Sequence, residues 1–475
     1  MRKVLLIAYY FPPIGGSGVQ RPAKFVKYLP EFGWQPYVIS TDRPYGDGAE
    51  GRDETLLADL PTDLRVWRVP TPQPQPVYRL AQWLGWRSVA VEAYRRGETP
   101  PPAPTSPAEN RPPGRWAQLR HTLLAPLYLI HNPPVDPALY WALGIVPLAQ
   151  RMIREEQIDV VLTTVPPWSA LLTGALLRRL TGRPWVADFR DPWTDNEFTY
   201  APTPLRRRVD EFLERRLLDR TDAVISVTPP WLEGLRAKTR RADKPFVLTP
   251  NGWDRDDFPE LTPARAALPP PAPADGRIVL LHPGSAYQGE TLPLLAALDR
   301  LAAAGVELER LRFHFVGFTH PEDWAAIAAS PHSRLFRLDL ARVPHDQALR
   351  MMREAHVLLL LLRKGPGASS GKVFEYMVVG RPVLSIGAGV GSRLVEEAGV
   401  GIGVAPEDVQ TLADALRQIV SDYAGFVAQH YQPVWDVIAG YERRALTGKL
   451  TDVLSQVSGL AGRQFISSTE RNLQT

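Results

Sequence analysis

Short apolar runs recur along the chain, separated by longer stretches with helical periodicity, an alternation that predicts parallel α/β domains. In the first half the pattern predicts strands at Val4–Ala8, Tyr37–Ser40, Leu64–Val69, Val160–Thr163, Trp185–Ala187 and Ala223–Val227. A second series follows a Pro- and Ala-rich stretch at 261–275. Its strands are predicted at Ile278–Leu281, Phe313–Val316, Leu335–Leu338, Val357–Leu362 and Val383–Ile386. Two Rossmann-like domains are therefore expected, 1–248 and 249–435, joined through 248–276 and followed at 436–475 by a tail that is helical to about 457. Residues 70–115 carry runs such as Thr71-Pro72-Gln73-Pro74 and Pro100-Pro101-Pro102, which sustain neither helix nor sheet and read as a mobile insertion.

Composition narrows the partners. A chain of 475 residues has room for two full cores. Its 55 basic and 51 acidic residues balance to +4, too even to predict nucleic-acid binding. The absence of Cys removes disulfides, thiolate metal sites and cysteine nucleophiles, and fits a reducing cytoplasm. The apolar run before Pro12 is too short for a signal peptide, and no stretch reaches the roughly 18 apolar residues of a membrane span. A cytoplasmic location is expected, with any membrane contact peripheral and at the inner face.

Residues 365–388 combine a flexible loop, a short helix with one acid, and a buried strand. Ser369 or Ser370 is placed to cap the helix, Gly371 lets a ligand approach the backbone, and free N–H groups there favour a diphosphate. Lys372, one of only eight lysines, adds a positive charge. Glu375, about one turn in, is placed to accept two ribose hydroxyls; alternatively it is simply an acid in a helical first turn. Gly380 ends the helix, and Arg381-Pro382 leads into the next strand.

Three further turns follow predicted strands. After the first, Pro12-Pro13-Ile14-Gly15-Gly16-Ser17-Gly18-Val19-Gln20 makes a Gly-rich turn into a helix, with Ser17 and Gln20 at capping-box spacing and Pro22 in the early turns. Gly15 and Gly16 make either a tight turn or a close approach to phosphate. A dinucleotide fingerprint fails here, because Arg21 stands where a third Gly is required. After Trp185–Ala187, Asp188-Phe189-Arg190-Asp191-Pro192-Trp193 lies at a carboxyl edge. There Arg190 is placed to bind a phosphate or sugar hydroxyl, and Asp191 to orient an acceptor hydroxyl. The alternative is an Arg–Asp pair that holds the loop, with Trp193 packed beneath. After Ile278–Leu281, the turn Gly284-Ser285-Ala286-Tyr287-Gln288-Gly289-Glu290 offers backbone N–H groups and Ser285.

Asp254-Arg255-Asp256 has D-x-D spacing but follows Asn251-Gly252 in a linker, and reads as a turn and cap. The nine His show no ligand spacing, so neither metal nor cofactor is predicted. Two amphipathic segments, Arg115 to Leu127 and Arg206 to Arg220, are surface helices packed on a core or membrane-surface elements.

The 365–388 stretch closely resembles the donor-site signature of retaining glycosyltransferases of the GT-B fold, in particular family 4. In that family an acid pair spaced E-x7-E lies in this loop and helix; the second matches at Glu375, and the first falls on Gly367. The Asp188 to Trp193 string, with Thr163-Thr164-Val165-Pro166-Pro167, is similar to one in a bacterial subgroup associated with surface polysaccharides. The resemblance implies two domains facing a cleft, a C-terminal helix returning to the first domain, and sugar transfer from a nucleotide diphosphate to a glycan or polyprenyl-linked acceptor. It implies donor binding by Gly15, Gly16, Gly284, Ser285, Ser370, Gly371, Lys372 and Glu375. On the acceptor side it implies Arg190 and Asp191 as catalytic residues, with Asp188 and Trp193 beside them. Ser285 and Glu290 stand where family 4 usually has Arg and Lys, and no His stands near the Asp188 string. A sugar-nucleotide epimerase and a non-catalytic binding scaffold are the alternatives on the same fold.

Overall fold

The computed structural model describes residues 1–42, 44, 52–72, 135–195, 204–241, 243–259, 261, 276–341, 343–362, 365, 367 and 369–459. The expected insertion lies outside the described residues from residue 73 on, as does the segment from Arg115 to Leu127. The chain divides into two compact units, Met1–Pro250 with the chain from Thr447 on, and Asn251–Leu446.

In the first unit seven parallel strands lie in the order β3-β2-β1-β4-β5-β6-β7. They are β1 (Arg2–Ile7), β2 (Trp34–Ser40), β3 (Arg65–Arg68), β4 (Val160–Val165), β5 (Trp185–Phe189), β6 (Ala223–Ser226) and β7 (Phe246–Leu248). Helices cover both faces, so β4 and β5 are buried throughout, as their unbroken apolar character requires. Successive β1 side chains alternate between two cores, Leu5 and Ile7 toward Trp141 and Trp185, Val4 and Leu6 toward Phe25 and Val26. The helix Arg443–Val457 contributes Leu450, Val453 and Leu454 to the second of these cores, and Arg2 Nη1 donates to Ser455 Oγ at 2.7 Å. The C-terminal helix thus returns to the first unit.

The second unit holds six parallel strands in the order β10-β9-β8-β11-β12-β13. They are β8 (Ile278–Pro283), β9 (Leu311–Val316), β10 (Phe336–Asp339), β11 (Val357–Leu361), β12 (Val383–Ile386) and β13 (Gly401–Val404). Each sheet reverses its winding once, between β1 and β4 in the first and between β8 and β11 in the second. Ligands of doubly wound sheets bind outside the carboxyl ends of the strands at such a reversal.

Two strands, β7 and β13, were not predicted. β7 has three residues, and β13 reads Gly-Ile-Gly-Val, so neither shows a strand signal of its own; pairing with β6 and β12 makes them strands. β5 runs two residues further than expected. Asp188 is therefore a strand residue, in register with Thr164 of β4, and faces the interior instead of opening the loop.

Candidate active site

In the second unit, the loops after β8 and β11 meet at the reversal. Gly284 follows β8 with φ of +138°, and a Cβ there would overlap the ammonium of Lys372, so only glycine leaves room for that side chain. Lys372 opens the helix Lys372–Val379, for which Gly371 is the cap residue. Ser370 Oγ accepts from the Lys372 amide at 3.4 Å, and Ser370 O accepts from Val373 N at 3.1 Å. The amides of Ser370 and Gly371 donate to no described residue. The helix ends at Gly380, φ +80°, as its sequence predicts.

Burial lowers the pKa of Lys372 to about 8, against the opposing pull of Glu290 and Glu375. Beneath it, His282 is fully buried between Leu359 O at 2.9 Å and Ser285 O at 3.2 Å. Burial and the neighbouring Lys372 lower its pKa to about 3; a neutral imidazole carries one N–H, so it donates to one of these two carbonyls. Glu375 lies one turn into the helix and is one-fifth exposed; its Oε1 meets His345 Nε2 at 2.8 Å. Tyr376, the next residue, is buried with an unpartnered hydroxyl, and burial pushes its pKa well above the usual phenol value.

The β8 loop is fixed largely by its own amides. Gly284 N donates to Val316 O, Ala286 N to Phe318 O, Glu290 N to Tyr287 O, and Tyr287 N to Glu290 Oε2 at 2.8 Å. Asp323, buried at the start of the helix Pro321–Ala329, accepts from Gly289 N at 2.7 Å, Thr291 N at 2.8 Å and Thr291 Oγ1 at 2.6 Å. Among the amides of this turn, those of Ser285 and Gln288 alone donate to no described residue. Ser285 is half-buried at the turn. Gly367 is buried and brings no carboxylate. Sequence reasoning missed His345 and Asp323, which lie 30 and 32 residues from the groups they hold. The only local signal was Pro344 before His345, which marks a helix start.

In the first unit, the loop after β1 carries Gly15, which is buried, and Gly16, at φ +103°, the cap of the helix Ser17–Tyr28. Gly16 and not Ser17 takes the cap position. Arg190 reaches the reversal from the end of β5, donating through Nη1 to Gly18 O and through Nη2 to Pro166 O. It thus joins the first turn of the helix after β1 to the loop after β4, while its buried Nε has no partner among the described residues. Burial lowers its pKa, against the opposing Asp191 and Asp188. A Cβ on Gly18 would overlap Nη1, so the guanidinium would have to shift to admit one.

Asp188 is fully buried and engaged on both oxygens. Arg21, itself 1% exposed, donates to it from Nε at 3.0 Å and Nη2 at 2.9 Å, and Thr164 Oγ1 donates at 2.9 Å. Trp193 is equally buried, its ring 6.4 Å from that of Trp168 and nearly parallel to it. Asp188 and Trp193, expected on the acceptor side, therefore support the loop from within the core, while Arg190 and Asp191 are half-buried at its surface.

Asp254 caps the short turn Arg255–Asp257 through Asp256 N at 3.0 Å, and Arg255 pairs with Glu442. Among the described residues no group of three or more His, Asp or Glu is placed to hold a metal. A cavity of about 360 Å³ lies among Met1, Lys27, Gln35, Asp59 and Arg65, at the amino ends of β1 to β3 and so at the opposite edge from these loops.

Two doubly wound parallel sheets, with the C-terminal helix packed in the core of the first unit, are the GT-B fold. Residues 74–252 match the glycosyl transferase 4-like domain, and residues 277–422 match the glycosyl transferases group 1 family. The chain belongs to these GT-B glycosyltransferases, and glycosyl transfer is its activity. Among solved structures it is similar to Anabaena HepE in complex with UDP and glucose, with TM-score 0.58, 15% identity and coverage of 96% of this chain and 100% of that one. Sucrose-phosphate synthase from Thermosynechococcus elongatus gives TM-score 0.58 and 15% identity over 98% and 100% of the two chains. The α,α-trehalose 6-phosphate synthase of Burkholderia multivorans gives 0.57 and 13% over 97% and 100%. No curated protein matches the chain significantly.

Proposed function

We propose that the second unit binds a nucleotide-diphosphate sugar and that the enzyme moves its sugar, with retention of anomeric configuration, to a cell-surface glycan or lipid-linked acceptor. The observation that carries the donor reading is the Lys372 side chain laid over Gly284, at the head of a helix whose Glu375 is held by His345. In this reading Lys372, the free amides of Ser370 and Gly371, and Ser285 hold the diphosphate, where most of the negative charge develops as the sugar leaves. Glu375 takes the ribose. In the first unit Arg190 and Asp191 serve the acceptor side, with Asp188 and Trp193 fixing their loop. The bond from the anomeric carbon to the β-phosphate oxygen breaks, the acceptor oxygen bonds to that carbon on the same face, and the acceptor proton passes to the leaving diphosphate.

UDP is the first base to test, because HepE was solved with UDP and UDP-glucose. Calorimetric titration of UDP, GDP, ADP and CDP into the wild type and Glu375→Ala tests the donor assignment. One diphosphate is expected to bind, and to bind about 1–3 kcal/mol more weakly in the variant. No binding of any diphosphate, or unchanged affinity in a folded variant, overturns the assignment.

A further inference from the structure

We propose that the helix Pro204–Leu218 is a docking face for an anionic lipid bilayer. A helix packed on a globular core turns its apolar stripe inward and its charges outward. This helix does the reverse with its acids. Asp210 and Glu214 are buried, Asp210 accepting from Arg206 at 2.8 Å and Glu214 from Lys238 at 2.7 Å. Facing out are Leu205, Val209 and Phe212, at 71%, 39% and 56% exposure. Their spacings of four and three residues stack them along one face.

Among the described residues the charge around that stripe is mostly positive. Arg216, one turn beyond Phe212, lies over its ring at 5.2 Å. Arg207, Arg208, Arg215 and Arg220 are exposed beside it, and the partly exposed Glu211 of this helix is paired with Arg207 at 3.1 Å. The adjoining helix Ala170–Thr181 packs against this one and adds the exposed Leu176 and Leu180 with Arg179. Apolar side chains among arginines match the boundary between acyl chains and anionic headgroups, with the guanidinium stems lying along the apolar stripe. A second copy of the chain is a poorer occupant, because a two-fold contact would set this cationic face against itself.

The inference deepens the lipid-linked acceptor reading and rests on it for its purpose. Its test uses neither donor nor acceptor, so its outcome is separate from that of transfer. The full chain is sedimented with vesicles of phosphatidylcholine alone and of phosphatidylcholine mixed with phosphatidylglycerol. Leu205→Asp with Phe212→Asp, and Arg208→Gln with Arg215→Gln, are compared with the wild type, and thermal melts confirm folding. The wild type is expected to bind the mixed vesicles alone, less at high salt, and each double variant to bind them roughly tenfold or more weakly. Failure of the wild type to bind, equal binding to both vesicle types, or full binding by the folded variants overturns the proposal. So does a wild-type dimer that Leu205→Asp with Phe212→Asp dissolves.

Discussion

Both sheets reverse their winding once and both bring a cation to the reversal, but the two cations are held differently. In the first unit Arg190 donates to Gly18 O and Pro166 O, joining the segments on either side of the reversal. Behind it Arg21 and Asp188 neutralise one another in the core. In the second unit Lys372 lies over Gly284 with no hydrogen bond from its ammonium to a described residue, and burial depresses its pKa to about 8. The same place in the fold is a loop clamp in one unit and an uncommitted charge in the other. A cation whose guanidinium already donates to two backbone carbonyls stabilises the segments it joins, whereas one whose ammonium donates to no described residue gains most from an arriving anion.

Breaking the clamp side should have the largest effect, and on stability. Asp188→Ala leaves the Arg21 guanidinium buried without its partner and should cost about 3–5 kcal/mol in urea unfolding. Nucleoside diphosphate binding by the second unit should persist in that variant. A loss below about 1 kcal/mol would place the pair with exposed ion pairs and remove the contrast.

Breaking the uncommitted side should act on ligand affinity. Lys372→Met is expected to weaken diphosphate binding by about 1.5–3 kcal/mol while leaving the melting transition in place. The wild type should also bind more weakly as pH rises through about 8, because the lysine then loses the charge that meets the phosphate. Lys372→Met should show no such step; a step that survives the substitution assigns the titration to another group. The smallest effect is expected of His345→Ala, about 0.5–1.5 kcal/mol in nucleotide affinity through a less firmly held Glu375. His345→Gln, which keeps a donor, should recover part of it. Equal loss in both variants would show that the imidazole itself, and not its hydrogen bond, matters.

The turn chemistry was legible because it is local. Gly380 stops its helix, Gly284 and Gly16 sit at positive φ, and Glu375 lies one turn into a helix begun at Lys372, all within a few residues of the signal that predicts them. The buried strands were legible for the same reason, and their ends were not: two more residues of pairing carry Asp188 into β5 and turn it inward. The sequence lists Asp188 beside Arg190 and Asp191 in one string, yet the three side chains have different surroundings. Likewise the apolar residues of Pro204–Leu218 read as an ordinary packed stripe, until the fold turned Leu205, Val209 and Phe212 outward.

Sequence alone determined the class of fold, the helix starts and stops, and which residue types stand at the carboxyl edge of each sheet, because apolar period and backbone preference act over a few residues. Which charges cancel was decided only by the tertiary structure. Arg21 meets Asp188 across 167 residues and His345 meets Glu375 across 30, and a charge is neutralised by what lies within a few ångströms in space, however distant that group is along the chain.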